Sequence, residues 1–453
     1  MVLIVGVLIL LAPALWNGFP LLQYDTGGYL ARWFEGYLVP SRPGAYGLVL
    51  AAGASLQFWP VLLLQAALTV WVLALVLRSL GFGGQPIVFL ATLSLLAVAT
   101  SLPWLTAVLL TDIFAGLAVL ALYLVVFCAD RLARWECSGL VALTAFAGAT
   151  HSATLVLIGA LAAAAVMTHW LARDLVPRRG MRDAVVAALG GIAITLAANF
   201  AVAGRLAWTP GGYGIVFGRM LQDGIVDRYL GDHCPEMRLK LCPFRHELPH
   251  DADAFLWGKS PFDQLGRFDG LGDEMRTIAL GSLWAYPTLQ IKMAARAAAH
   301  QLISVSTGEG MVSTAWHTYG IMELYAPSAV PAMRAARQQH GELDFQTINR
   351  LQVPIALFSM AMLPAFFMVW HRRAGFIQLG LLAATSTAGL CINSFVCGAL
   401  SNPHDRYGSR LVWIAPLTIG LGALRWLWRP DAELETEALG LTVIRQKRSN
   451  QSA

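Results

Sequence analysis

The feature that most constrains this chain is the recurrence of long apolar stretches. They fall at 2–16, 60–78, 86–102, 112–128, 138–150, 152–171, 184–203, 352–370, 375–397 and 409–428. About 20 such residues are needed to cross a hydrocarbon core of about 30 Å. A segment in lipid must also satisfy its own backbone hydrogen bonds, so each run is expected to be a helix. Only 13% of the 453 residues are charged, against roughly a quarter in a soluble domain. The expected fold class is therefore an all-α polytopic membrane protein with about ten transmembrane helices.

Basic residues set the orientation, because cytoplasmic loops carry the excess of lysine and arginine. Arg131 and Arg134 precede the pair 138–150 and 152–171, and Arg173, Arg178, Arg179 and Arg182 follow it. Both flanks then face the cytoplasm, so the pair goes out and returns, although its first member is short for a span. His371, Arg372 and Arg373 mark another cytoplasmic turn. Arg425, Arg429 and the "RQKR" tail mark the last. Ten spans with both termini inside satisfy every marker. The first run begins at Met1 without a basic leader and without a clear small-residue cleavage site, which reads as a retained helix. The net charge of +5 arises from these loop arginines and does not point to nucleic acid.

Four regions follow: an N-terminal membrane module, 1–203; an extracytoplasmic region, 204–351; C-terminal membrane helices, 352–428; and a cytoplasmic tail, 429–453. The second holds about half the acidic residues and six of the ten histidines. Stretches around 273–302 and 327–340 are amphipathic and could lie against the membrane surface. Cys234 and Cys242, with seven residues between them, are expected to pair in an oxidising compartment. The other four cysteines sit in or beside apolar runs and read as packing residues.

In this topology four polar clusters meet on the outer face: Asp25 after the first run, Asp112 in "LLTDIFAGL", His151 in "GATHSATL", and "SNPHDRYGSR" from Ser401. Ionisable groups at membrane depth are costly unless they face a cavity or a partner. Each has a plain alternative. Asp25 could be solvated at a helix end. Asp112 could cap its helix beside Thr111. His151 could be a hairpin-tip residue, and Arg406 and Arg410 could be anchors. Arginine on the face that topology disfavours makes better sense as a receptor for phosphate oxygens; Arg42, in "SRPGAYGLVLAAG", shares that placement.

An acidic residue after the first span, an Arg-Pro segment leading into the apolar "LLLQAALT", a second acidic residue opening a later span, and a late "RY" loop occur together here. Over roughly 1–200 and 395–428 the chain resembles the GT-C fold of integral membrane glycosyltransferases, which includes protein O-mannosyltransferases and the aminoarabinose transferases of lipid A. Relatives often carry paired acidic residues at the first motif, whereas Asp25 is followed by Thr26 and Gly27. The resemblance implies transfer of a sugar from a polyprenyl-phosphate carrier to an extracytoplasmic acceptor, which is a glycan, lipid or protein. It implies an integral protein of a bacterial inner (plasma) membrane with its active site on the extracytoplasmic side.

On that reading Asp25 is the general base for the acceptor hydroxyl. Arg406, Arg410, His404 and Arg42 bind the donor phosphate and stabilise its departure. Tyr24, Asp112, His151, Asp405 and Tyr407 contact substrate. Gly27 and Gly28 let the backbone of "YDTGGYL", read as a catalytic loop, pass close to it. Tyr29 and Trp33 offer flat faces for a sugar or prenyl chain, though aromatics also serve as interfacial anchors. No cofactor is required; Mg or Mn bridging Asp112 and the phosphate is compatible with carboxylate chemistry. "HELPHDAD", from His246, is a candidate metal cluster interrupted by Pro249. No P-loop, dinucleotide fingerprint or Ser-His-Asp arrangement is present. Two other readings stay open: a transporter or lipid flippase holding a lipid phosphate without chemistry, and an assembly or receptor protein using 204–351. Against transport, the polar groups lie at one face and no second copy of the first half is found.

Overall fold

The computed structural model of the protein describes residues 1–40, 42–209, 211–313, 316–370, 373 and 375–427. His371, Arg372 and the whole 429–453 tail lie outside the described residues. Among the described residues the fold is all helical, with two isolated β-bridges, Leu21 with Val108 and Val39 with Arg42. The first ten helices are α1 (Val2–Asn17), α2 (Tyr24–Glu35), α3 (Ala45–Gly53), α4 (Trp59–Leu77), α5 (Pro86–Ala99), α6 (Leu102–Ala107), α7 (Asp112–Phe127), α8 (Arg134–Thr150), α9 (Ser152–Leu171) and α10 (Arg178–Ala203). Prolines in the first turns of α4 and α5, where no intrahelical donor is lost, fix where these begin. Gly204, at φ 65°, ends α10.

All ten apolar runs fall on helices. Among the described residues six helices are long and apolar enough to cross a membrane: Trp59–Phe82, Ser152–Leu171, Arg178–Ala203, Phe345–Trp370, Ile377–Ala399 and Asp405–Leu427. These mark the chain as a membrane protein. The runs at α1, α5, α7 and α8 form shorter helices; a 16-residue helix such as α7 spans only about 24 Å at 1.5 Å per residue. α7 is the centre of the fold, with every residue from Asp112 to Val126 buried. α10 instead has only 22% of its apolar window buried, against 61% for α4. Its Val186, Leu189, Ile194 and Phe200 point outward, as expected of a helix bordering lipid.

The region 204–351 does not form one body. α11 (Gly212–Gln222), α12 (Ile225–His233), α13 (Ala252–Leu256), α14 (Pro261–Gln264) and α15 (Arg267–Ala285) enclose a core of their own around Phe217, Tyr229, Phe255, Phe262 and Met275. Cys234 and Cys242 are bonded beside it, with Cα atoms 5.7 Å apart. The stretch 273–302 becomes the end of α15 and α16 (Pro287–Ile303), with Trp284 and Ile291 exposed. The rest turns back to the membrane helices through α17 (Trp316–Tyr325) and α18 (Val330–Ala335). Met333 and Ala336 are buried in the main core and Gln338 exchanges hydrogen bonds with Leu22 at 3.0 and 2.7 Å. The apolar side of 327–340 therefore packs on protein, not on a membrane surface. α19 (Phe345–Trp370), α20 (Ile377–Ser394), α21 (Asp405–Val412) and α22 (Ile414–Leu427) complete the chain.

The two ends of the bundle differ in chemistry. At one end Arg78 pairs with Glu136, Arg131 donates to the Ser79 carbonyl, and Tyr123 reaches the Gln378 carbonyl at 3.0 Å. At the other end the α1–α2 connection, the start of α7, the α8–α9 turn and the start of α21 converge.

Candidate active site

Asp25 and Asp112 are 87 residues apart and are brought together by backbone. The Leu21 amide donates to the Ala107 carbonyl at 3.0 Å and the Leu109 amide to the Leu21 carbonyl at 2.9 Å. Gln65, within "LLLQAALT", pins the same segment by donating to the Thr106 and Val108 carbonyls, both at 3.0 Å. Just beyond this bridge, α2 begins in a capping box. The Gln23 side chain accepts from the Asp25 amide at 2.7 Å, and Thr26 Oγ1 accepts from the Gln23 amide at 3.0 Å. Thr26 also donates to the Leu109 carbonyl at 3.0 Å. "YDTGGYL" is thus the first two turns of a helix, not a loop. Its carboxylate stands at the helix N-terminus, where the dipole favours an anion.

The five charged groups of the site form a chain. Arg42 Nη2 is 2.5 Å from Asp25 Oδ1, and Arg406 Nη1 is 2.8 Å from Asp25 Oδ2. Arg406 Nε is 3.3 Å from Asp112 Oδ2, and Arg410 Nη1 is 3.8 Å from Asp112 Oδ1. Asp112 and Arg410 are fully buried. Their facing atoms make no hydrogen bond of good geometry, and neither does Arg406 Nε. Asp112 therefore does not cap α7; its carboxylate is reserved for the arginines. Asn393 holds Arg410 from behind, accepting from Nε at 3.1 Å and Nη2 at 2.7 Å. Tyr407 lays its ring against both Arg406 and Arg410, at 5.1 and 5.4 Å, and meets the His151 ring edge-on at 6.3 Å.

Other expected contacts are reassigned. His404 is not free for a phosphate: its Nδ1 is 2.6 Å from Glu309 Oε1 and its Nε2 is 3.2 Å from Asp253 Oδ2. It clasps the 304–311 segment and the outer helical unit beside the site. Asp405 accepts from the Ser306 amide at 2.9 Å and holds the same segment. Tyr24 is 53% exposed, outside the buried cluster. Tyr29 is buried edge-on against Tyr46, and the half-buried Trp33 is held at its edge, its Nε1 donating to the Gly44 carbonyl at 2.6 Å. Gly27 permits close packing: a Cβ there would stand 2.8 Å from Thr318 Cα. Gly28 alone keeps an open side, its nearest neighbour being the Arg32 guanidinium.

Sequence reading missed Glu309, Asn393 and Arg32. Glu309 Oε2 accepts from the Arg406 amide at 2.7 Å, and the residue lines a narrow cavity with Asp112, Arg406 and Ser409. Its signal was the "GEG" triplet, where Gly308 and Gly310 take φ of 102° and 78°. That left-handed backbone favours glycine and turns the carboxylate inward.

No family model, curated protein or solved structure matches the chain.

The arrangement sets guanidiniums beside a carboxylate, groups suited to holding an anion. Three arginines (Arg42, Arg406, Arg410) alternate with two aspartates (Asp25, Asp112), and Glu309 sits against the Arg406 amide. A divalent cation at Asp112 would have to displace two guanidiniums, so the residues do not fit the Mg or Mn bridge. Among the described residues no three His, Cys, Asp or Glu side chains converge on one point, and in "HELPHDAD" Asp251 caps α13 while Asp253 serves His404. Burial alone would raise the Asp25 carboxyl, but the Arg42 and Arg406 guanidiniums outweigh it and hold it well below the usual carboxylate range. Burial together with Arg410 and Arg406 holds His151 well below its ordinary value, hence neutral. Its Nδ1 accepts from the Ala153 amide at 3.2 Å, leaving the proton on Nε2.

The His404 clasp is pH-sensitive. Burial opposes its charge, yet hydrogen bonds to Asp253 and Glu309 raise it from 6.5 to about 9. Asn402 and the Tyr407 ring also face it, at 2.8 and 5.4 Å. A pKa raised on folding contributes stability that is complete below the unfolded value and lost as pH rises through the folded one. Between 6.5 and about 9, the thermal midpoint should therefore fall more steeply in the native protein than in His404→Gln. Parallel curves would show that the clasp carries no charge.

Proposed function

We propose that the chain is a membrane glycosyltransferase that moves a sugar from a polyprenyl-phosphate carrier to an acceptor outside the cytoplasm. The observation that carries this reading is the Asp25 carboxylate held between Arg42 and Arg406 on a chain shared with Asp112. The acceptor oxygen bonds to the anomeric carbon, the bond from that carbon to the phosphate oxygen breaks, and the electron pair leaves on the phosphate. The hydroxyl proton passes to Asp25. Clamped by two guanidiniums, Asp25 is a poor base, and general-base catalysis works best when the pKa lies near the working pH. Phosphate oxygens competing for Arg406 would loosen that clamp and raise the carboxyl. Binding of the donor would thus switch on the base. Arg410 and neutral His151 stabilise the leaving phosphate at fixed positions.

The reading includes ten spans, both termini cytoplasmic, and the site on the outer face of a bacterial inner membrane. The arginine-rich opposite end of the bundle supports that orientation. Impermeant labelling of a cysteine at position 260 decides the side; labelling from the cytoplasm alone would reverse it. The activity is tested with purified protein in nanodiscs, polyprenyl-phosphate-linked sugars and an acceptor-containing envelope extract. Release of polyprenyl phosphate that needs both protein and extract is the expected result. A carrier that crosses the bilayer with its glycosidic bond intact would instead favour transport.

A further inference from the structure

Further along α2 from Asp25 stands a cation that the mechanism above does not use. Arg32 lies two turns along α2 from Asp25 and is only 1% exposed. Its Nε and Nη1 are buried without a hydrogen-bond partner, as is the neighbouring Tyr29 hydroxyl. Its guanidinium carbon sits 5.2 Å from the Tyr29 ring centroid, and no carboxylate pairs with it among the described residues. Gly28, one turn earlier, is half-buried and leaves space beside Arg32, since a Cβ there would touch only its Nη2 at 3.5 Å. Counting Arg32 with Arg42, Arg406 and Arg410 against Asp25, Asp112 and Glu309 gives 4 − 3 = +1 in the cluster. A buried, unpaired charge is costly in a folded chain, and unfilled buried donors add to that cost. A ligand anion would supply both the counter-charge and the missing acceptors.

We propose that the Arg32–Arg42 side of Asp25 is a second oxyanion subsite, which takes a phosphate or carboxylate group of the acceptor. Calling that ligand the acceptor rests on the transferase reading; the subsite itself does not. The arrangement puts Asp25 between two anion receptors, the donor phosphate on Arg406 and Arg410 and the acidic group of the second substrate on Arg32 and Arg42. The attacking hydroxyl is then presented to the carboxylate from one side and the anomeric carbon from the other. Burial, with the Arg42 charge, lowers the Arg32 pKa to about 10, the signature of a cation short of counter-charge.

The test uses the full chain in phosphatidylcholine nanodiscs with the donor site saturated by a short-chain prenyl phosphate. Inorganic phosphate is the soluble probe, and phosphatidylglycerol in the disc replaces it in a second arm to detect a lipid headgroup. Arg32→Met should raise the thermal midpoint of the protein without added anion, because an unpaired buried charge is removed. It should also weaken binding in at least one arm by about tenfold to a hundredfold, the scale of a lost charge-assisted hydrogen bond. Gly28→Val, which fills the approach and keeps the charge, should weaken binding in that same arm. A lower midpoint in Arg32→Met, or unchanged binding in both arms, overturns the proposal. Because binding is read without turnover, that failure would leave the transferase reading standing, and an inactive transferase would leave this result intact.

Discussion

Replacing Asp25 with asparagine should lower turnover by a factor of about 10² or more while the carrier still binds. Asparagine keeps the shape of the side chain and can still accept a bond from Arg406, but it cannot take a proton. The substitution also removes the anion shared by Arg42 and Arg406, at 2.5 and 2.8 Å. Arg406 then becomes free to hold phosphate, so carrier affinity should be unchanged or tighter. Initial rates of polyprenyl phosphate release, measured beside retention of the carrier, separate the two effects. Native rates in Asp25→Asn would remove the proposed base, and loss of binding with an unchanged rate constant would assign Asp25 to the donor subsite instead.

The second large effect is expected at Arg406. Among the described residues it is the one cation that touches both aspartates, at 2.8 Å from Asp25 and 3.3 Å from Asp112. Arg406→Met strands Asp112 with only Arg410, 3.8 Å away. Breaking a buried ion pair by removing one partner costs about 3–5 kcal/mol, a large share of the roughly 5–15 kcal/mol that holds a typical protein folded. Adding Asp112→Asn to the same chain removes the stranded charge and should recover part of the loss, which a double-mutant cycle measures. A single Arg406→Met variant as stable as the native protein would mean that the charged chain is not coupled.

Much of this arrangement was legible in the sequence, for physical reasons that can be named. Apolar runs have one solution in lipid, so all ten appear as helices. Asp25, Asp112, Arg42, Arg406 and Arg410 could be placed at one end because arginine asymmetry orients each span. His404 and Trp33 were misread because residue type shows what a side chain can do and not which partner reaches it first. Glu309 and Asp253 claim the imidazole, and the Gly44 carbonyl claims the indole. Gly27 followed the same pattern, since its lack of a side chain serves the approach of Thr318 from 291 residues away. The division of 204–351 was hidden because Met333 and Gln338 look like surface-helix residues until the start of α2 is known to lie against them. Arg32 gave no signal at all: it follows a stretch read as a loop, and residue type alone does not show that a guanidinium is buried.

The most direct measurement is an electron cryomicroscopy map of the full chain in nanodiscs with a polyprenyl phosphate bound. The account predicts a phosphate within hydrogen-bonding distance of Arg406 and Arg410, the 2.8 Å contact between Arg406 and Asp25 opened, and the Asp25 carboxylate turned toward the space beside the phosphate. A bound carrier whose phosphate lies elsewhere, with Arg42, Asp25 and Arg406 still joined, would contradict it.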